Sequence, residues 1–437
     1  MTSDTHKYAV IGAGAAGIAA TKALKDAGCS VECFEQRDRV GGHWRDQYNC
    51  LYMITARDES GFPDAPMPGT YPLFPNRDQI AEYLEKYARD AEVLPLVHLN
   101  TSVLSAVPMD GGEGWRLTTD DGVERHYRGI IVANGHNSEP MTPSYAGKFS
   151  GLSIHSSQYQ RASEIAGSRV LVVGAGNSGC DIAVDLAQHE IETLVSVRSG
   201  VVFLPKTLLG RDLANIYPRW LPRSLHDAYI WQLTKISIGR PEQYGLPKSD
   251  LTRVLPTVNY TLLHWIQHGR ITPVPEIGRL DGDGVVFSDG RRENIDTIIW
   301  ATGYKVTIPF LDSSHIKWKH GAPIRTAGMT LPVGSSRLYF IGLTSPLGSQ
   351  FPVYAAQAHL LLRLLVADER SGGSMSARFA EWEKPSVGIN TTPANWRRHM
   401  AQAHRRLTRL GIPQQPTADD LGQSVQRAVL QRVRHDY

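Results

Sequence analysis

The sequence predicts an α/β protein in which two βαβ units, each opening a parallel sheet, organise most of the chain. Three observations carry this. A plan of apolar strand, glycine loop, Ala-rich helical stretch and second apolar strand occurs twice. The leading glycines of the two copies, Gly12 and Gly174, stand 162 residues apart. Length and composition are those of a multidomain globular chain: 437 residues, 41% apolar, 20% charged and a net charge of +3. At roughly 150 residues per domain that length gives two or three domains, and the composition excludes disordered and collagen-like classes.

In the first copy Ala9, Val10 and Ile11 form the strand, GAGAAG supplies the turn through Gly12, Gly14 and Gly17, and Gly28 ends the helix as an αL cap. Val31 to Glu35 returns. In the second, Val170 to Val173 leads into GAGNSG (Gly174, Gly176, Gly179), the helix runs to about Gln188, and Thr193 to Val197 returns. Each loop has the spacing of a dinucleotide cradle. Its first glycine permits the tight turn, its second lets the backbone approach a pyrophosphate, and its third lets helix and strand pack closely. Ala15 and Ala16 in one loop, Asn177 and Ser178 in the other, present the helix-start N–H groups.

The second strands end differently. Glu35, followed by Gln36, stands where a carboxylate accepts hydrogen bonds from both ribose hydroxyls of an adenosine and repels a 2′-phosphate. Arg198, followed by Ser199, offers a guanidinium fork that suits the 2′-phosphate of NADP. One unit for a plain adenosine and one for NADP predict a flavoprotein that retains FAD and is visited by NADPH.

Between the loops, Phe149, Gly151, His155 and Tyr159 fall at the spacing FxGxxxHxxxY. This resembles the signature of the flavin-containing monooxygenase family, class B flavoprotein monooxygenases. GGHW (Gly41 to Trp44), FPDAPMP (Phe62 to Pro68), GNSGCDIA (Gly176 to Ala183), ATGY (Ala301 to Tyr304), YFIGL (Tyr339 to Leu343) and Gln357–Ala358 are similar to further family elements. Gly42, His43, Trp44, Val103, Ala301, Thr302 and Gly303 complete the expected cofactor-binding set. The resemblance implies that NADPH reduces FAD, that O₂ adds at the flavin C4a, and that the hydroperoxide oxygenates an amine nitrogen or sulfide sulfur of a small molecule. The cofactor carries the chemistry, while the protein orients, hydrogen-bonds and excludes water.

The family commonly places an Asn eight residues before the aromatic of FPDxPxP, and that count lands on Ile54, which cannot hydrogen-bond. Either Thr55 or Asn49 takes that part, or bound NADP supplies the stabilisation, or this branch handles oxygen differently. Arg57 replaces the usual Lys. Tyr159 joins Thr55 and Asn49 as a catalytic candidate from its place in the signature, whereas His155 is expected to order the junction of the nucleotide domains. Baeyer–Villiger oxygenation of a ketone and a non-enzymatic NADPH/FAD sensor are the alternatives. A disulfide reductase is disfavoured, because Cys29 and Cys33 would lie beside adenosine.

The expected domains are FAD-binding over 1–166, NADP-binding with a helical insertion over 167–294, and FAD-binding with a helical tail over 295–437. Tyr217, Trp220, Tyr229 and Trp231 in the insertion are expected as local core, or else as substrate entrance or homodimer contact. GLPKSD, from Gly245, is similar to a family loop but has Ser249 and Leu251 in place of Pro and His.

Cys29, Cys33, Cys50 and Cys180 form no C-x-x-C pair, so disulfides and structural zinc are not expected and a cytoplasmic setting is. From Trp396 onward eight Arg face three acids. Interspersed Leu, Val and Ala at helical spacing make this a solvated helix face, with no nucleic-acid partner. Met1 to Lys7 lacks a positive n-region and no stretch reaches about 18 apolar residues, so neither signal peptide nor membrane span is expected.

Overall fold

The computed structural model describes residues 7–212, 225–248, 256–417 and 419–420. Two five-stranded, all-parallel sheets form the frame. The first contains β1 (Lys7–Ile11), β2 (Ser30–Phe34), β3 (Val97–His98), β4 (Gly129–Val132) and, from far along the chain, Leu338–Phe340, in the order Leu338–Phe340, β4, β1, β2, β3. The second contains β5 (Leu152–His155), β6 (Arg169–Val173), β7 (Glu192–Ser196), β8 (Ile271–Val274) and β9 (Thr297–Trp300), in the order β8, β7, β6, β9, β5. The strands are near-continuous apolar runs, as parallel strands covered on both faces require.

The repeat visible in the glycine loops therefore extends through whole sheets. In each, a first strand leads through the loop to helix α1 (Ala15–Asp26) or its counterpart Asn177–Gln188, and the second and third strands build outward on one side. A three-stranded antiparallel sheet then intervenes before the chain returns on the other side of the first strand: Val103–Pro108, Trp115–Thr119 and Glu124–Tyr127 in one unit, Ile277–Asp281, Gly284–Phe287 and Arg292–Asn294 in the other. Gly28, at φ +79°, takes the left-handed position after α1 and donates to Lys25 O.

Strand pairing draws the units differently from boundaries at 166 and 294. β5 precedes residue 166 and β9 follows residue 294, yet they pair with each other and close the second sheet. The crossings between units lie instead at Glu139–Pro140 and Tyr304–Lys305, which pair antiparallel as a ribbon. The sequence pattern missed this because an edge strand contributed ahead of its own glycine loop carries no periodic mark of the sheet it joins.

In the first unit, α1 packs between the sheet and the long helix Phe351–Arg370, burying Ile18, Leu24, Leu360, Leu361, Leu364 and Leu365. The fully buried Arg363 of that helix reaches Thr408 Oγ1 (2.9 Å) and Ile412 O (3.0 Å), fastening helix Pro393–Arg409. That helix includes the first part of the basic segment, and Met400, Ala403 and Leu407 are its buried face. The segment beyond residue 420, Tyr217, Trp220, Ser249 and Leu251 lie outside the described residues, as does the Trp231 side chain. Tyr229, in helix His226–Ile238, is half-buried against Leu204, Leu208 and Val258. Among the described residues no helix is long and apolar enough to cross a membrane, and Cys29, Cys33, Cys50 and Cys180 are free thiols.

Candidate functional site

At the first loop Gly12 has φ +101°, and a Cβ there would stand 2.7 Å from Ala133 O. At Gly17 a Cβ would stand 1.7 Å from Gly12 O, so helix and strand meet backbone to backbone. Glu35 is 5% exposed at the tip of β2. Its Oε2 accepts from Ala13 N (2.8 Å) and its Oε1 from Arg37 N (3.0 Å), which holds the carboxylate at the loop with further lone pairs available. Arg37 in turn donates to Gly42 O (2.8 Å) and to Asp46, and Gly41 N donates to Ala13 O (2.9 Å). The GGHW segment is thereby laid over the loop, with a Cβ at Gly14 only 3.6 Å from Gly42 Cα. Such a pair of side-chain-free backbones is the cradle an FAD pyrophosphate needs.

His43 stacks on Trp44 with centroids 5.4 Å apart, and burial together with Arg37 pushes its imidazole down to about 4, keeping it neutral. Ala15 and Ala16 are buried at the start of α1, and Gly342 of YFIGL comes so close that a Cβ there would lie 2.7 Å from Ala16 Cβ. Gln357 accepts from Gly342 N (3.1 Å), fastening that turn. Gln36 is exposed beside Glu35. Val103 opens the first antiparallel sheet and packs on the cluster around Phe34 and Ile130.

At the second loop Gly174 (φ +107°) faces Ala301 O as Gly12 faces Ala133 O, and a Cβ at Gly179 would lie 2.0 Å from Gly174 O. A Cβ at Gly176 would meet nothing within 4 Å, leaving room for phosphates over the helix start, where Asn177 and Ser178 stand. Asn177 Oδ1 is buried and has no partner. Arg198 and Ser199 are exposed just beyond β7, and Arg198 Nε lies 4.0 Å from Glu276 Oε1. Thr302 donates to Met141 O, and Gly303 O accepts from Met141 N (3.0 Å). Both sites thus fit their expected occupants.

Of the catalytic candidates, Asn49 and Tyr159 lie on neighbouring segments, with the Tyr48 and Tyr159 rings 6.5 Å apart, while Thr55 bonds elsewhere. Tyr159 is 1% exposed, and its hydroxyl bonds to Asp185 inside the second unit, where burial and that carboxylate hold it far above the usual phenol range. Its contacts are those of a packed residue, buried in the second unit. Asn49 is exposed, with its backbone N–H on Gln160 O (2.9 Å). Thr55 Oγ1 lies 2.8 Å from Ser60 Oγ, which lies 3.1 Å from Ser349 Oγ. Ile54 packs on the buried cluster of Leu204, Leu208 and Val258, so its surroundings are apolar. Phe62 of FPDAPMP stacks on Tyr87 at 4.1 Å, and Arg57 donates to Gly69 O (2.9 Å) and Tyr71 O, so both elements brace the loop. His155 spans from Ser157 Oγ (3.0 Å) to Gly303 O (3.1 Å), beside the chain crossing.

The family model described as FMO-like, Flavin-binding monooxygenase-like, matches residues 5–371. The chain belongs to this family. FAD and NADPH are the cofactors of these flavin-dependent monooxygenases. Indole-3-pyruvate monooxygenase YUCCA1 of Oryza sativa is 34% identical over 315 residues, covering 69% of this chain and 77% of the relative. Flavin-containing monooxygenase 2 of Homo sapiens is 31% identical over 398 residues, covering 82% and 73%. In fold, the open structure of cyclohexanone monooxygenase superposes with a TM-score of 0.71 at 19% identity, covering 92% of this chain and 98% of that one. A flavin-containing monooxygenase from Stenotrophomonas maltophilia gives 0.66 at 22%, covering 83% and 98%.

Sequence reasoning missed several residues of this family member's site. Ala133, Asn134 and Gly135 follow β4 as Ala301, Thr302 and Gly303 follow β9, and GIIVANG against TIIWATG was the available signal. Asn134 donates to Thr307 O (2.9 Å), while its Oδ1 is buried and unpartnered. Tyr48, Asp181, Lys206 and Asn259 meet between the units, and no local motif announces such a meeting.

Proposed function

We propose that this monooxygenase uses NADPH and O₂ to oxygenate a soft nucleophile, an amine nitrogen or sulfide sulfur, in a small molecule. The observation that carries this is the contrast between the loops: Glu35 sealed and amide-bound for a resident adenosine, Arg198 exposed for a 2′-phosphate that comes and goes. Bound FAD, reduced by NADPH, supplies the activation of dioxygen at its C4a carbon and the transfer of one oxygen atom. The chain's own residues bind and orient. Gly12, Gly14, Gly17 and Gly42 admit the FAD phosphates, and Glu35 orients the ribose. Gly174, Gly176 and Gly179 admit those of NADPH, with Arg198 and Ser199 at its 2′-phosphate. Ile54 rests on the buried apolar cluster of Leu204, Leu208 and Val258 and offers no hydrogen bond at that position. Thr55, through its hydroxyl chain to Ser60 and Ser349, is the donor nearest Ile54 in sequence; the exposed Asn49 is the less suited candidate.

A second reading, oxygenation beside the carbonyl of a 2-oxo acid, is favoured by the 34% identity to a relative named for indole-3-pyruvate. Oxygen uptake and product analysis with an amine, a thioether and a 2-oxo acid separate the readings. A substrate-stimulated N- or S-oxide supports the first, and traces flat with all three favour an NADPH-sensing role. Four free thiols suit a cytoplasmic protein.

A further inference from the structure

We infer that Asp181 is a positioning residue: its carboxylate clamps the NADP-binding helix onto the FAD-side segment around Tyr48, and so sets the coenzyme against the flavin. This rests on the assignment of the second glycine loop to NADP. The helix Asn177–Gln188 carries two acids toward its packed side, and they are used differently. Asp185 takes the Tyr159 hydroxyl and Ala162 N (3.2 Å), both within its own unit. Asp181 crosses units. Its Oδ2 accepts from the Tyr48 hydroxyl (3.0 Å), its Oδ1 from Asn259 Nδ2 (2.6 Å), and its backbone O from Cys50 Sγ (3.8 Å).

Tyr48 Oη also lies 3.3 Å from Ser178 Oγ, so the clamp sits at the helix start that receives the phosphates. Charge is supplied by Lys206, whose ammonium stands 5.6 Å from the Phe74 ring centroid on the FAD-side wall. Two apolar faces would pack without a carboxylate. A buried acid accepting bonds from separate segments fixes one relative placement, because any slip leaves a desolvated charge unpaired.

The charged or titratable groups facing Asp181 are Lys206, Tyr48 and Cys50, with Cys180 beside it on its own helix. Burial holds the phenol and both thiols above their ordinary values, hence neutral. Burial likewise raises Asp181 to about 6, so the clamp loses its charge as pH falls below that value.

The test compares wild type, Asp181→Asn and Tyr48→Phe, all loaded with FAD. NADP⁺ affinity is measured by equilibrium dialysis from pH 5 to 8, alongside the KM for NADPH, kcat, and the fraction of NADPH oxidised to H₂O₂ without product. FAD content and melting temperature report the fold. Asp181→Asn is expected to bind about tenfold more weakly at pH 8, and wild-type affinity to weaken below pH 6 more steeply than that of Asp181→Asn, whose remaining pH dependence is that of the 2′-phosphate of the ligand. H₂O₂ release rises in both variants, and Tyr48→Phe shows a smaller loss of affinity. Affinity and pH profile unchanged in both would overturn the inference. Should Asp181→Asn fail to fold, Tyr48→Phe, which removes one hydroxyl, decides it. A wild type that binds no NADP⁺ would overturn the assignment of the loop itself.

Discussion

Removing Arg198 tests the coenzyme assignment at its most exposed point. The side chain is 75% exposed and its nearest carboxylate, Glu276, is 41% exposed at 4.0 Å. A surface pair of this kind contributes about 0–1 kcal/mol, so Arg198→Ala is expected to leave the melting temperature unchanged. The effect falls on the ligand. Charge-assisted hydrogen bonds contribute about 1.5–3 kcal/mol, which makes about a ten- to hundredfold loss of kcat/KM for NADPH, with that for NADH unchanged because it carries no 2′-phosphate. Glu276→Gln is expected to act oppositely. A carboxylate beside the phosphate repels it through water by under about 1 kcal/mol, so neutralising it raises the NADPH/NADH ratio a few-fold. The assay is initial-rate NAD(P)H oxidation at two salt concentrations, since an exposed contact weakens as screening increases. An NADPH/NADH ratio that Arg198→Ala leaves unaltered would refute the reasoning.

Gly17→Ala and Gly176→Ala are expected to fail in opposite ways. The first drives a Cβ to 1.7 Å from Gly12 O and costs about 3 kcal/mol or more, read as a lost or much lowered melting transition. The second enters open space, so the protein melts as wild type but NADP⁺ binding falls in dialysis. Glu35→Ala strips the acceptor from Ala13 N and Arg37 N, and the purified protein is expected to carry substantially less FAD by absorbance. His404 accepts or shares a hydrogen bond with Arg363 Nη1 at 2.8 Å, and burial with Arg363 lowers its imidazole to about 4. Since the folded value lies below the unfolded one near 6.5, the neutral form's stability is present above about 6.5 and is lost as pH falls to about 4. Chemical denaturation at pH 7, 5.5 and 4.5 is expected to show that loss, reduced in His404→Gln.

What was legible in the sequence was whatever is specified locally. Gly12, Gly14 and Gly17 sit where a strand must turn tightly into a helix, so their spacing reports the geometry directly, and Glu35 and Arg198 follow from counting along the same βαβ unit. The second unit's limits were not legible, because β5 joins β9 across 142 positions of sequence that separate His155 from Thr297. Tyr159 is a related case: its place in a signature singles it out, but only the structure shows the contact with Asp185. Ile54 was identified as a departure, yet the apolar cluster it packs on is built by Leu204, Leu208 and Val258, far along the chain. The Asp181 cluster is the extreme case, since nothing local marks Tyr48, Asp181 or Asn259 until the fold brings them within hydrogen-bonding distance.

The ribbon of Glu139–Pro140 with Tyr304–Lys305 has a consequence for how the two units are joined. Entry and exit of the second sheet are hydrogen-bonded neighbours, and paired strands run about 4.8 Å apart. A linker of one or two residues therefore bridges the gap left if everything between them is excised, and the same short bridge would let the excised piece be re-ended elsewhere. Both ends of the second sheet thus leave the first unit at one point, so the connection between the units is as short as an ordinary hairpin.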